Sequence, residues 1–181
     1  LLREDFEKWK VEVFADPVKA SDFINRYYRD RGYLQARALS PAPQLDPKTG
    51  KGQVSIEIDE GPLFLVGELQ FKGNRAFTYD ELWAAIPTSS GSICNQDSLR
   101  DSVKALESLY QKRGYNDVSI TFRVLQNRAE ARADLSFAIV ERLQFVIRDL
   151  IIEGMQSTKR DFIERQLDFR VGDVLNFARI D

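Results

Sequence analysis

The sextet Tyr-x-x-Arg-Gly-Tyr occurs twice, as Tyr28–Tyr33 and Tyr110–Tyr115. A guanidinium flanked by phenols is a donor set that could hold an anion. Lys48-Thr49-Gly50-Lys51-Gly52 has the composition of a phosphate loop, Asp59-Glu60 pairs two carboxylates for acid–base work, and Cys94 is a thiol that could act as a nucleophile.

The elements that must carry these residues argue against most of that chemistry. A phosphate loop needs Gly-x-x-x-x-Gly-Lys-Ser/Thr opening a helix; residues 48–52 lack the spacing and sit between two strand-like runs. Pro41-Ala42-Pro43 through Gly52 is therefore expected as a polar hairpin loop, longer than its counterpart later in the chain. Successive carboxylates in a strand point to opposite faces, so Asp59 and Glu60 read as strand-end solvation and linker geometry. The 181 residues contain no histidine and one cysteine, which removes Ser-His-Asp and Cys-His arrangements, histidine metal sites and any internal disulfide. No enzyme activity, cofactor or metal is expected. A formal charge of −2 implies no broad basic face and no nucleic-acid partner.

The sextet belongs to a longer repeat. Val54-x-Ile56-x-Ile58 before Glu60 answers to Leu135-x-Phe137-x-Ile139 before Glu141, and Leu69-x-Phe71-Lys72-Gly73 to Leu150-x-Ile152-Glu153-Gly154, each 81 residues on. A period near eighty marks an array of one supersecondary unit.

One copy, 62–142, is complete. Leu69-x-Phe71 alternates as a strand and stops at Gly73-Asn74. Thr78-Tyr79-Asp80-Glu81 has capping-box spacing, and the short helix it opens ends at Pro87. Leu99, Val103, Leu106 and Tyr110 share one face of a longer helix over 97–113, capped by Asn95 or Asp97. Arg113-Gly114 ends that helix as a left-handed cap, and Tyr115 seals its joint with the strand that follows. Arg31, Gly32 and Tyr33 form the same structural joint earlier. Val118, Ile120, Phe122 and Val124 alternate with Ser119, Thr121 and Arg123, and a last strand covers 131–140, so the copy reads β-α-α-β-β. The flanking copies are partial. Residues 1–61 lack the first strand and start a long helix at Asp16-Pro17; residues 143–181 hold a strand at 144–152 and a helix at about 158–168.

The unit length, the Gly-Tyr after the long helix, Glu60-Gly61-Pro62 and Phe71-Lys72-Gly73-Asn74 together resemble the POTRA (polypeptide-transport-associated) domain of BamA- and TamA-type outer-membrane proteins of the surface antigen family. The departures are Arg142 and Met155, where Gly and Asn are expected. The resemblance implies an α+β fold of tandem units, each a three-stranded mixed sheet with two helices on one face. It implies a non-enzymatic module in the periplasm of a Gram-negative bacterium, whose parent is anchored by a C-terminal outer-membrane barrel. Its partners would be unfolded or nascent β-barrel proteins and accessory periplasmic assembly proteins.

A sheet edge offers unpaired N–H and C=O groups to an extended chain. The second strand, Val118, Ser119, Ile120, Thr121 and Phe122, with a groove lined by Leu106 and Tyr110 of the long helix, is the expected receiving site. Two-partner secretion transporters and cell-division scaffolds are the alternative homes of such a module. The apolar faces of the partial end copies also suggest head-to-tail self-association.

Overall fold

The computed structural model describes residues 17–39, 44–53, 55–154 and 159–177. The described residues form two compact units. The first takes those up to Gly67 with Ser90–Ser98 and Leu125–Asp134; the second takes Glu68–Ser89, Leu99–Val124 and those from Leu135 onward.

In the first unit, α1 (Pro17–Arg29) leads into β1 (Arg37–Ala38), β2 (Gln44–Asp46), β3 (Lys51–Gln53) and β4 (Ile58–Asp59). The expected cap Asp16 and the Pro41–Pro43 stretch lie outside the described residues. β1 pairs antiparallel with β4, Arg37 against Asp59, and β2 with β3, Gln44 against Gln53. The two ladders differ in register by one residue. The expected long polar loop is thereby corrected: its flanks are paired strands, and the turn shrinks to 47–50. Asp46 holds that turn, its carboxylate accepting from Lys48 N at 2.9 Å and Thr49 Oγ1 at 2.7 Å. Ala20, Ala36, Ala38, Phe64, Val66 and Cys94 are buried in this unit. Burial pushes the Cys94 thiol up to about 11, which makes it a packed apolar group and not a nucleophile.

The complete copy supplies β5 (Leu65–Lys72), α2 (Tyr79–Ala85), α3 (Gln96–Lys112), β6 (Ser119–Asn127) and β7 (Arg132–Val140), with sheet order β5-β7-β6. β6 and β7 are joined by a tight turn and run antiparallel. β5 runs parallel to β7: Gly67 lies beside Asp134 and Gly73 beside Ile139, so numbers rise together along both strands. The sheet is mixed and the class is α+β, as expected.

Local chemistry sets the helix ends. Thr78 and Glu81 complete the capping box on α2, with Thr78 N donating to Glu81 Oε2 at 2.8 Å. Asn95, not Asp97, caps α3, its Oδ1 accepting from Ser98 N at 2.8 Å. α3 buries Leu99, Ser102, Leu106 and Tyr110 on one stripe, and β7 buries Ala133, Leu135, Phe137 and Ile139 in alternation. Ser102 fits that stripe because its hydroxyl is 2.7 Å from that of Thr88, which satisfies both buried groups.

The tail departs from expectation. The 144–152 strand reduces to one antiparallel bridge, Val146 to Val174, and the helix to α4 (Arg160–Glu164). A ladder needs a partner strand, and among the described residues this segment bonds to the 172–175 loop, to the end of α3 and to Arg160 instead of a strand. α4 has no side-chain cap at Lys159.

Glu60 and Glu141 are each followed by a residue at positive φ, Gly61 at 65° and Arg142 at 57°. An L side chain in that region costs about 1–2 kcal/mol, partly offset by the unfolded-state entropy that glycine would add. Arg142→Gly is therefore expected to stabilise the chain by up to about 1 kcal/mol. An unchanged or lower midpoint in urea contradicts the strain at Arg142.

Candidate polypeptide-binding edge and the repeated joint

Each Tyr-x-x-Arg-Gly-Tyr sextet is one complete helix terminus. Tyr33 N donates to Tyr28 O at 3.0 Å and Gly32 N to Arg29 O at 3.1 Å; Tyr115 N donates to Tyr110 O at 3.1 Å and Gly114 N to Gln111 O at 2.9 Å. These are the two bonds of a Schellman motif, with the glycines at φ 94° and 82°. The motif's apolar contact is present too. The Tyr28 and Tyr33 rings meet edge to face at 5.6 Å, and those of Tyr110 and Tyr115 at 5.9 Å.

Both arginines are committed to the joint. Arg31 lies 3.3 Å over the Tyr27 ring and donates to Tyr27 O. Arg113 donates to Ala76 O at 2.6 Å and to Glu81 Oε1 at 2.8 Å, and lies 4.0 Å over Phe77. Both guanidiniums thus serve the helix terminus.

The glycines do a second thing that sequence reading missed. Gly32 O accepts from Phe64 N, and Gly114 O from Phe145 N, each at 2.9 Å. The approach leaves no room for a side chain: a Cβ on Gly32 would sit 2.5 Å from Ile93 Cγ2, and one on Gly114 would sit 2.7 Å from Phe145 O. Around each contact the same bonds recur. Cys94 N donates to Phe64 O and Val66 N to Ser92 O; Leu175 N donates to Phe145 O and Ile147 N to Asp173 O. The same residue thus ends a long helix and docks the segment opening the next copy. The signal was available, because Gly91-Ser92-Ile93-Cys94-Asn95 recurs as Gly172-Asp173-Val174-Leu175-Asn176.

Glu60, read with Asp59 as strand-end solvation, is corrected, and Glu141 is bound in the same way. Tyr28 OH donates to Glu60 Oε1 at 2.6 Å, and Tyr110 OH to Glu141 Oε1 at 2.9 Å. The Glu60 bond, aided by burial, pushes the Tyr28 phenol up to about 12. Burial and then Glu141 push Tyr110 up as well. Glu141 also accepts from Ala76 N at 2.8 Å and Arg75 N at 2.6 Å. Partial burial alone would raise its pKa, but these donors outweigh it and hold the carboxyl below its ordinary 4.5.

β6 is an edge of the sheet. Ile120 is buried, Val118 and Phe122 are half-buried, and Ser119 and Thr121 are exposed; the Phe122 ring lies 6.3 Å from that of Phe137. The expected groove needs correcting. Leu106 and Tyr110 are fully buried at 0% exposure, so they pack the core and offer no surface to a ligand. The opposite edge is partly covered: Val66 N donates to Ser92 O, Gly91 N donates to Val66 O, and Leu65 bridges Ile93.

A β-α-α-β-β unit with a three-stranded mixed sheet is the POTRA fold, and domains of this kind are not enzymes. The family model described as "Surface antigen variable number repeat" matches residues 64–142, and that segment is a POTRA domain of the BamA/Omp85 type. The chain is 28% identical over 86% of its length to a Treponema pallidum (strain Nichols) protein named provisionally as an outer membrane protein assembly factor, and 26% identical over 87% to the outer membrane protein assembly factor BamA of Nitratidesulfovibrio vulgaris. It covers 19% and 20% of those proteins, so the chain spans about a fifth of the curated relatives it matches. Among solved structures it is similar to Haemophilus influenzae BamA POTRA3-5, with a TM-score of 0.57, 18% identity, and 90% of this chain and 64% of that one covered. That likeness is one of fold.

Gly114→Ala forces a side chain into a left-handed position and onto Phe145 O; it is expected to cost at least about 1–2 kcal/mol. An unchanged melting temperature contradicts the joint. Glu141→Gln tests the carboxylate. Its folded pKa is depressed, so its stabilisation is present above the unfolded value of 4.5 and lost as pH falls through the folded one. The variant should be less stable than wild type at pH 7, with the gap narrowing below pH about 4.5; a pH-independent gap contradicts it.

Proposed function

We propose that this chain is a periplasmic polypeptide-binding module of an outer-membrane protein assembly factor. In this reading it consists of three consecutive POTRA units, 1–61, 62–142 and 143–181, the outer two partial. They receive unfolded β-barrel precursors along β6 and pass them to a C-terminal barrel of the parent protein, with accessory periplasmic assembly proteins as further partners.

The observation that carries the reading is the sheet order β5-β7-β6, which leaves β6 at an edge, with core-facing residues on one side and Ser119, Thr121 and Arg123 exposed on the other. Main-chain hydrogen bonds give affinity for an extended peptide without demanding one sequence, as a receptor for many precursors requires. The names of the relatives support the same process.

Only every second amide of an added strand faces the edge it joins. A ten-residue peptide of alternating apolar and polar residues, N-methylated at alternate positions, therefore tests the reading without altering the protein. Methylation of one alternate set is expected to weaken binding at least about tenfold in titration calorimetry, and of the other set to leave it unchanged, since each lost bond is worth about 1 kcal/mol. Equal affinities of both methylated forms rule out augmentation.

A further inference from the structure

The two copies treat their second strands differently. In the first, Leu39 N donates to Glu57 O at 2.9 Å, so Leu39 is in a bonded pair of the β1–β4 ladder. Bonded and non-bonded pairs alternate along antiparallel strands. Ala38, opposite Ile58, is then a non-bonded pair, and its N–H points to the free edge. That N–H is already taken: it donates to Asn25 Oδ1, on α1, at 2.7 Å in a partly buried contact.

The repeat identifies the matching positions in the complete copy. Glycine caps Gly32 and Gly114, and tyrosines Tyr28 and Tyr110, are 82 residues apart, which sets Ala38 against Ile120 and Asn25 against Glu107. The local structure agrees, since β1 and β6 both begin five residues after the glycine cap. Ile120 thus has the outward N–H, and the period of two extends this to Phe122 and Val124. The side chain of Glu107, where an asparagine would cap the edge, makes no hydrogen bond or ion pair among the described residues.

Resting on the reading of β6 as a receiving edge, we propose that Asn25 is an edge cap that closes the second strand of the first copy to extended polypeptide, so that incoming chain is directed to β6. Asparagine suits this task because its short side chain carries a carbonyl acceptor that can replace a strand partner's carbonyl at one outward N–H. One capped amide suffices to spoil augmentation there, because an added strand must insert its own carbonyl at that point and its neighbours in register.

The test uses the whole chain, labelled with ¹⁵N, and an alternating apolar-polar ten-residue peptide. In the free protein, Asn25→Ala is expected to speed exchange of the Ala38 amide by about tenfold, whereas Asn25→Asp, which keeps an acceptor, leaves it protected. On titration the wild type and Asn25→Asp should bind one peptide and Asn25→Ala two, with new protection at Ala38. Unchanged Ala38 exchange in Asn25→Ala overturns the cap, as does faster exchange with binding still at one site on β6. If the wild type binds no peptide, the reading of β6 fails instead; Ala38 exchange still decides whether Asn25 closes the amide. Glu107→Asn adds a check in the other direction, expected to protect Ile120 and weaken binding at β6, and an unprotected Ile120 in that variant counts against transfer of the cap.

Discussion

The structure depends on how a helix of L-residues can stop. The last turn of α1 or α3 leaves carbonyls without partners, and reversing the chain there requires a residue at positive φ. Gly32 and Gly114 meet that need, and having no side chain they also let another segment approach closely. Their carbonyls then accept Phe64 N and Phe145 N. Helix termination and docking are thus bound to one position. This accounts for the recurrence of the four shared residues of the motif: the first tyrosine accepts the final backbone bond, the arginine is held over an aromatic ring, the glycine takes the left-handed position, and the last tyrosine packs back on the first.

A three-stranded sheet has two edges, and the chain deals with them unequally. The start of β5 is covered by the 91–93 loop through backbone bonds. β6 keeps an edge whose outer face is polar along Ser119, Thr121 and Arg123 and turns apolar at the exposed Leu125. Such a face limits indiscriminate pairing, which long apolar edges invite. An edge that is open but polar on its outer side suits transient main-chain recognition.

Features set by neighbours in sequence were legible. The capping box at Thr78 and Glu81, the strands β6 and β7 and the left-handed glycines all follow from local spacing and appear as expected; the α3 stripe does so except that Ser102 is buried where Val103, half-buried, was expected. Features set by distant partners were not. Glu60 and Glu141 look like strand-end charges until Tyr28 and Tyr110, about thirty residues away, are placed beside them. Helical period identifies the face that Leu106 and Tyr110 share but not their depth, and the structure buries both completely. The 44–53 hairpin was hidden because its strands are polar on an exposed surface, where no hydrophobic alternation is required. Asn25 reads as one more polar residue of a helix; its task appears only once Ala38 N is known to point away from β4.

The central claim is that an extended polypeptide adds to the sheet at β6. The most direct measurement is residue-resolved amide exchange of the ¹⁵N-labelled chain with and without a saturating peptide copied from a β-barrel strand. The account predicts new protection at Ile120, Phe122 and Val124, to which the repeat assigns the outward amides, with little change at Thr121 and Arg123 between them. Protection appearing elsewhere, or binding with no change along β6, contradicts it.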